Sequence, residues 1–315
     1  MAFARLVAGR LVAGGLVLAV VALVTFGLLA AQPGTAAEGN DDPRIPASAR
    51  AAMRAQLGLD LPWRVRLARQ VAAAARGDLG WSVARRQPVT EALGRAIGPS
   101  LVLGLTGLTL GLLGGLLLGT WQGAAPDGPG DRWTSRLALV LVSMPDFWLA
   151  LLLLTIGAKV TRLFPVGGWP RDGGGLASLH HLVLPVTTLA LLVAARVSRY
   201  HRAATAAVRR EGWVRGARAR GLSAAHVRWR HLARTAAAPT LALTGLLVPL
   251  VIAGTVFIEV VFSWPGVGRL LLDAVQARDV PLVIGATLVT AAASVVGSAT
   301  ADLAHAWLDP RARRA

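Results

Sequence analysis

Six long runs of apolar residues constrain this chain more than any other feature of its sequence. A helix needs roughly 20 apolar residues to cross about 30 Å of hydrocarbon, which is more than a soluble helix requires. The runs come close to that length with almost no internal charge, so we predict an all-α polytopic membrane protein with six transmembrane helices. They lie at Leu11–Ala31, Pro99–Trp121, Leu137–Gly157, Leu179–Ala195, Thr240–Phe262 and Leu282–Leu303.

The composition agrees with a membrane location. Of the 315 residues, 54% are hydrophobic and only 16% are charged, whereas soluble domains carry about 25% charged residues. The chain has no cysteine. A plain cytosolic enzyme, a disulfide scaffold and a thiolate metal site are therefore excluded.

The first apolar run allows two interpretations. Arg5 and Arg10 precede it and small residues follow near Ala36, as in a cleavable signal peptide. Apolar cores of signal peptides are about 7–15 residues long, however, and this run has about 20. The length favours a retained transmembrane helix.

Basic residues predict the orientation. The net charge is +17, and eleven arginines against the single acid Glu211 lie in the loop 196–238, between the fourth and fifth runs. Since Lys and Arg accumulate in cytoplasmic loops, we expect this loop and both termini in the cytoplasm. The loop after the first run is also rich in arginine, but the rule weakens in loops longer than about 60 residues.

Within the basic loop, Glu211 to Arg220 predicts a short helix. Gly221 is a suitable C-terminal stop because it adopts positive φ readily. Ser223 is the predicted N-cap of a second helix through Val227 to Ala238, with Pro239 marking the step into the fifth run. Trp213, Val214 and Ala217 share one face of the first helix, and Arg215 and Arg218 lie on another.

Two roles are compatible with this loop. It could be a topology determinant lying against anionic lipid, or a docking helix whose small apolar face enters a groove on another protein. A nucleic-acid role is not supported, since the few aromatic residues form no recognisable stacking platform or motif.

The loop resembles the cytoplasmic signature, or EAA loop, of permease subunits of ATP-binding-cassette (ABC) importers for dipeptides, oligopeptides and nickel. The similar stretch is Arg210–Ser223, continued by His231–Pro239. Five further motifs agree in order, so the resemblance extends from about Leu57 to Arg311. They are Gly77–Ser82 with Pro88 and Val89; Ser143–Trp148; His181–Pro185; Glu259–Gly268 with Arg278, Asp279 and Pro281; and Asp302 with Asp309–Arg311.

Two stretches depart from the pattern of that family. Gln32–Pro43 replaces the Pro-Gly-Asp-Pro that usually follows the first helix, and Gly212 after Glu211 keeps the wider EAA consensus only in part. The second departure concerns the details of ATPase docking.

The resemblance implies a type I ABC importer permease fold in the inner membrane, without any chemical change to the solute. Residues 1–92 would form the first helix and a long extracytoplasmic loop, 93–306 the permease core, and 307–315 a cytoplasmic tail. The implied partners are a second homologous permease, two ATPase subunits, an extracytoplasmic binding protein and membrane lipid. The residues implied in coupling to the ATPase are Glu211, Trp213, Val214, Arg215, Ala217, Arg218, Ala219, Gly221 and Leu222.

ATP hydrolysis is expected outside this chain. A P-loop requires a lysine on the phosphates within Gly-x-x-x-x-Gly-Lys-Ser/Thr, and the single lysine, Lys159, lies in no such motif. We therefore predict a transport component that is not an enzyme, binds no cofactor itself and relies on ATP used by its partners. The alternative is a non-transporting membrane scaffold that recruits partners through the basic loop.

Two acids and two histidines stand out in apolar surroundings. Asp146 and Glu259 are pore or gate candidates, because ionisable residues inside a membrane are functional by default. Solvation at the interface or an arginine partner is the alternative for both. For His180 and His181 we expect hydrogen bonds at the interface, because no third ligand completes a metal site.

Overall fold

The structure is a computed structural model that describes residues 2–31, 63–74, 76–169 and 176–308, and these are almost entirely helical. Two short antiparallel strands pair Trp81 with Pro88 and Ser82 with Gln87. The elements in chain order are α1 (Ala2–Ala31), α2 (Trp63–Ala74), β1 (Trp81–Ser82), β2 (Gln87–Pro88), α3 (Val89–Ala124), α4 (Pro129–Ser143), α5 (Asp146–Leu154), α6 (Leu176–Arg209), α7 (Gly212–Ala219), α8 (Ala224–His226), α9 (Ala233–Val261), α10 (Val267–Gln276) and α11 (Val280–Leu308). A π-helical segment, Thr155–Val160, continues α5, and another, Val227–Leu232, joins α8 to α9.

Several helices are long and apolar enough to cross a membrane. In the described part of the chain, four reach that length, and α4 with α5 makes a fifth if this bent pair is one span. Helix α9 contributes a shorter apolar stretch, Leu247–Val261. The prediction of a multi-pass helical protein is confirmed, whereas these criteria do not give the predicted count of six. The four helices are Val7–Leu29, Val89–Ala124, Leu179–Arg209 and Val280–Leu303.

The third apolar run, Leu137–Gly157, was predicted to form one transmembrane helix, but in the structure it is divided between two helices. Helix α4 ends at Ser143, α5 begins at Asp146, and the two are bent by 107°. Met144 and Pro145 between them are extended, with ψ near 139° and 138°. A residue before proline avoids the helical region, and proline itself has no N–H to continue the ladder. The bend therefore follows from Pro145.

Other prolines lie within helices without ending them. Pro185 lies inside α6, which continues past the predicted end of the fourth span as far as Arg209. Pro239 lies inside α9, so the prediction that it separates two helices is wrong. Membrane helices tolerate proline where neighbouring groups satisfy the freed carbonyl.

Two compact units divide the described chain, one containing Leu101–Trp264 and the other containing Pro265–Val295. The core of the first includes Leu103, Leu189 and Ile258, which are at most 1% exposed. In the second, the start of α3 packs on α10 and α11. There the buried carboxylate of Asp279 accepts hydrogen bonds from Ser82 Oγ at 2.6 Å and from the Ala84 N–H at 2.9 Å.

Glycines bring α3 and α6 into close contact. A Cβ atom at Gly111 would lie 2.5 Å from Cβ of Val193, and one at Gly115 would lie 2.6 Å from Cβ of Val197. Small residues allow membrane helices to approach in this way. The glycines of the second apolar run therefore lie in the contact between α3 and α6. The small residues near Ala36, on which the signal-peptide alternative rests, lie outside the described residues, as do the rest of Gln32–Pro43 and residues 309–315.

We expect Gly111→Ala to destabilise the protein and Gly104→Ala to leave its stability unchanged or higher. The first change drives a methyl group into Val193, and overpacking of this kind costs about 1–3 kcal/mol. A Cβ at Gly104 meets no atom within 4 Å, and alanine favours the helix by about 1 kcal/mol. The measurement is the melting temperature of each purified variant in the same detergent, and we expect the lower value for Gly111→Ala. Equal melting temperatures would contradict the close contact between α3 and α6.

Candidate functional site

The predicted docking segment folds as a short helix followed by a tight corner. Helix α7 ends at Ala219, and Gly221 has φ of +82°. The N–H of Gly221 donates to the carbonyl of Arg218 at 2.9 Å. Ser223 caps the next helix, because its Oγ accepts from the N–H of His226 at 3.2 Å. The Gly-Leu-Ser corner, Gly221–Ser223, therefore has the backbone geometry that the sequence predicts.

The apolar face of α7 packs inside its own chain. Val214 is 1% exposed and Ala217 is 2% exposed. We call the residues beneath them the α7 seat. They come from the ends of α3 and α6, from the corner and from the π-helical segment Val227–Leu232. The α7 seat consists of Ala124, Val208, Leu222, Val227 and Leu232.

This packing changes the predicted docking geometry. The sequence suggested that the face with Val214 and Ala217 enters a groove on another protein, but in the structure it anchors α7 to the chain. The surface left for a partner is the opposite one. Its exposed residues are Glu211, Trp213, Arg215, Arg218, Ala219, Arg220 and Gly221.

Aromatic rings also connect α7 to the second helix. The Trp213 ring lies edge-on to His231, with ring centroids 6.0 Å apart, and His231 lies 5.5 Å from His226. Trp213 is 42% exposed, so it contacts its own chain and still presents a surface. No ring contact was predicted for either histidine from the sequence. His231 lies in the π-helical segment Val227–Leu232, and His226 directly precedes it.

Behind the α7 seat, the ends of α3 and α6 lie in close contact. A Cβ at Gly123 would be 2.6 Å from both the carbonyl oxygen of Arg202 and Cβ of Thr205. His201, which is 1% exposed, lies within hydrogen-bond distance of Thr120 and Thr240, at 2.9 Å to each hydroxyl. Three helices, α3, α6 and α9, are therefore joined next to the α7 seat.

An ion pair between α4 and α6 completes this region. Arg202 donates from Nε and Nη2 to the two carboxylate oxygens of Asp131, both at 2.6 Å. Asp131 is 3% exposed and also accepts from the Asp127 N–H at 2.8 Å and from Ser135 Oγ at 3.0 Å. No pattern in the sequence indicates this pair, since an acid in a polar segment between two apolar runs is ordinarily solvated.

Asp146 has an arginine partner, Arg196, which was one of the alternatives to a gate role. It lies at the start of α5, and its Oδ1 is 3.3 Å from Nη2 of Arg196, with each side chain 19% exposed. A Cβ at Gly254 would lie 2.9 Å from Oδ2 of Asp146, so α9 passes close to the carboxylate. These contacts favour a structural role for Asp146.

Glu259 is enclosed by the chain. It is 1% exposed, which disagrees with interfacial solvation of its carboxylate. Its carbonyl accepts from the N–H of Trp264 at 2.8 Å. The Trp264 ring in turn lies edge-on to Trp169, with centroids 4.8 Å apart.

His180 and His181 bind backbone oxygens, as predicted. His180 Nε2 lies 2.7 Å from the Leu163 carbonyl, and His181 Nδ1 lies 3.2 Å from the Gly167 carbonyl. No group of three or more metal-ligating side chains occurs in the described ranges.

Comparison with known proteins matches residues 111–314 to the family described as binding-protein-dependent transport system inner membrane component. The matched region contains α7, its seat and the Asp131–Arg202 pair. A peptide permease protein of Brucella ovis is 35% identical over 308 residues, covering 96% of this chain and 97% of the relative.

Two further relatives extend this similarity across most of the chain. An oligopeptide transport system permease protein of Bacillus subtilis is 30% identical over 295 residues, covering 92% of this chain and 93% of the relative. A glutathione transport system permease protein of Salmonella paratyphi A is 33% identical over 314 residues, covering 96% of this chain and 97% of the relative. The resemblance based on the EAA loop is confirmed. The chain belongs to the family of inner membrane components of binding-protein-dependent transport systems, and it is the non-catalytic permease subunit of an ABC importer.

Proposed function

We propose that the chain forms half of the translocation pore of an ATP-driven importer for peptides or similar small solutes. The relatives named for peptides, oligopeptides and glutathione support this solute class. The observation that carries the proposal is α7, a short helix fixed to its own chain by one face while the opposite, basic face is exposed. Such a helix is suited to receive movement from another subunit.

The partners we propose are a second homologous permease, two ATPase subunits and an extracytoplasmic binding protein. The dependence of the family on a binding protein supports the last of these. The absence of a P-loop from the full sequence supports separate ATPase subunits. No cofactor is assigned to this chain, and ATP is used by the ATPase pair.

Within the coupling segment, the structure suggests a division of labour. Val214 and Ala217 pack on the α7 seat, to which Leu222 belongs, so these three residues would transmit a displacement. The positive φ of Gly221 turns the chain directly after α7. The exposed residues would contact the ATPase. They are Glu211, Trp213, Arg215, Arg218, Ala219 and Gly221.

We further propose six spans with both termini in the cytoplasm. In this topology, α4 and α5 together form the third, bent span, and α9 forms the fifth. The eleven arginines of the loop 196–238 support the orientation. The exposed apolar side chains of α1 and α3, such as Leu16 and Leu105, suit contact with lipid.

The gate role of Asp146 and Glu259 stays a prediction. Glu259 is the stronger of the two, because it is buried near the C-terminal end of α9. Asp146 already has Arg196 as a partner.

Vesicle uptake tests the function directly. Reconstituted with its partner permease, ATPases and binding protein, the chain is expected to accumulate a labelled oligopeptide only when ATP and binding protein are both present. The matched control contains an ATPase pair that binds ATP without hydrolysing it. An assembled complex that hydrolyses ATP but takes up no peptide, glutathione or other tested solute would favour the scaffold alternative.

Gly221→Asp is expected to release the ATPase while leaving the permease in the membrane. A side chain at φ of +82° strains the corner, and the carboxylate offsets the positive charge of the basic surface around it. We expect roughly tenfold less ATPase in a pull-down, which corresponds to about 1.4 kcal/mol. Gly168→Asp is the matched control, since Gly168 also has positive φ, +85°, and open space at Cβ. Full ATPase retention by the Gly221 variant would contradict the docking role.

The orientation can be tested by single cysteines, because the natural chain contains none. Ala225→Cys lies at the exposed start of the second helix, and Val166→Cys lies in an exposed loop after the third span. A membrane-impermeant maleimide applied to intact cells is expected to label only the cysteine at 166. Labelling of the cysteine at 225 before the membrane is opened would show that the orientation is inverted.

A further inference from the structure

We propose that Asp131 and Arg202 are positioning residues that pass a displacement of α7 to α4. The inference rests on the proposed docking of the ATPase at α7. It extends that proposal to a side-chain pair that lies outside the docking segment.

The pair fixes an angle as well as a distance. Arg202 engages both carboxylate oxygens of Asp131 at 2.6 Å, and this two-pronged geometry holds the planes of the two groups together. Asp131 is itself held by the Asp127 N–H and by Ser135 Oγ. The turn before α4 and the first turn of α4 are therefore attached to α6 as one piece.

The pair lies on the helix that supports α7. Arg202 and Val208 are both on α6, and Val208 belongs to the α7 seat. The end of α3 belongs to it as well, through Ala124, and Gly123 keeps that end in backbone contact with Arg202. A movement of α7 thus reaches the ends of α3 and α6 directly.

Helix α4 has no residue in the α7 seat, so it must receive the movement through its neighbours α3 and α6. Toward α3 it has a neutral hydrogen bond, in which Gln122 Nε2 donates to Thr134 Oγ at 2.8 Å, and toward α6 it has the charged Asp131–Arg202 pair. Apolar side chains of α4 can slide along α6 because dispersion contacts have little directionality. The Asp131–Arg202 pair cannot slide without losing two charge-assisted hydrogen bonds. It is therefore the contact that makes α4 follow α6.

A second pair on the same helix shows where that movement leads. Beyond the bend at Pro145, Asp146 at the start of α5 contacts Arg196 of α6. Acid–arginine pairs from α6 thus hold the segment α4–α5 near both ends of α4. With the Asp131 pair intact, the bent segment and α6 move together.

The test measures coupling and assembly separately in the full reconstituted complex. For Asp131→Asn we expect normal ATPase retention in a pull-down, continued ATP hydrolysis and roughly tenfold less oligopeptide taken up per ATP hydrolysed. Arg202→Lys retains the charge but loses the two-pronged geometry, so it is expected to show the same loss to a smaller degree. If the Asp131→Asn variant does not accumulate in the membrane, Arg202→Lys takes its place in the same measurement.

Asp127→Asn is the matched control. Asp127 lies 3.8 Å from the same arginine, but its side chain is 83% exposed, and we expect wild-type uptake per ATP. A role in stability alone would lower hydrolysis and uptake in proportion, leaving their ratio unchanged, and that result would overturn the inference. Failure of the docking proposal is distinguishable, because it would appear as full ATPase retention by the Gly221→Asp variant.

Discussion

The contact between the apolar face of α7 and its seat is the interaction on which the proposed coupling of this chain to an ATPase depends. A helix of eight residues is too short to be stable alone in water. Val214 and Ala217 stabilise it by packing on side chains from α3, α6 and the second helix. Because that face is occupied, only the other face is available to a partner, and a force on it acts on the chain rather than merely unfolding the helix.

The glycine face of α3 provides the stiffness that such a contact needs. Gly107, Gly111, Gly115, Gly119 and Gly123 follow one another at intervals of four residues, and a Cβ at any of them would lie under 3.0 Å from α6. Helices that meet backbone to side chain in this way have little room to change their distance. The ends of α3 and α6 are therefore held together by backbone contact, while α4 is attached to them through polar side chains. These are the Asp131–Arg202 pair toward α6 and the hydrogen bond from Gln122 to Thr134 toward α3.

Local patterns in the sequence were sufficient for the features that depend on neighbouring residues. The corner at Gly221–Ser223 follows from positive φ and an N-cap, and the apolar runs predict membrane helices by composition alone. The sequence was less informative where chain-distant groups decide the outcome. Pro145 bends the third run and Pro239 leaves α9 continuous, although both are prolines in apolar sequence. The face of α7 was assigned to a partner because the residues beneath it come from positions as distant as Ala124 and Leu232.

The charged residues illustrate the same limit. Asp131 and Arg202 are 71 residues apart, and each has an ordinary place in a polar segment of the sequence. Asp146 and Glu259 attracted attention because they interrupt apolar runs, yet Asp146 is paired with Arg196 and Glu259 is buried. A charge in an apolar run signals that a partner or an enclosed site must exist, since an isolated charge in hydrocarbon is costly. It does not say whether that site conducts solute or holds helices together. In this chain the contacts of Arg196 with Asp146 and of Arg202 with Asp131 favour the second role for those two acids.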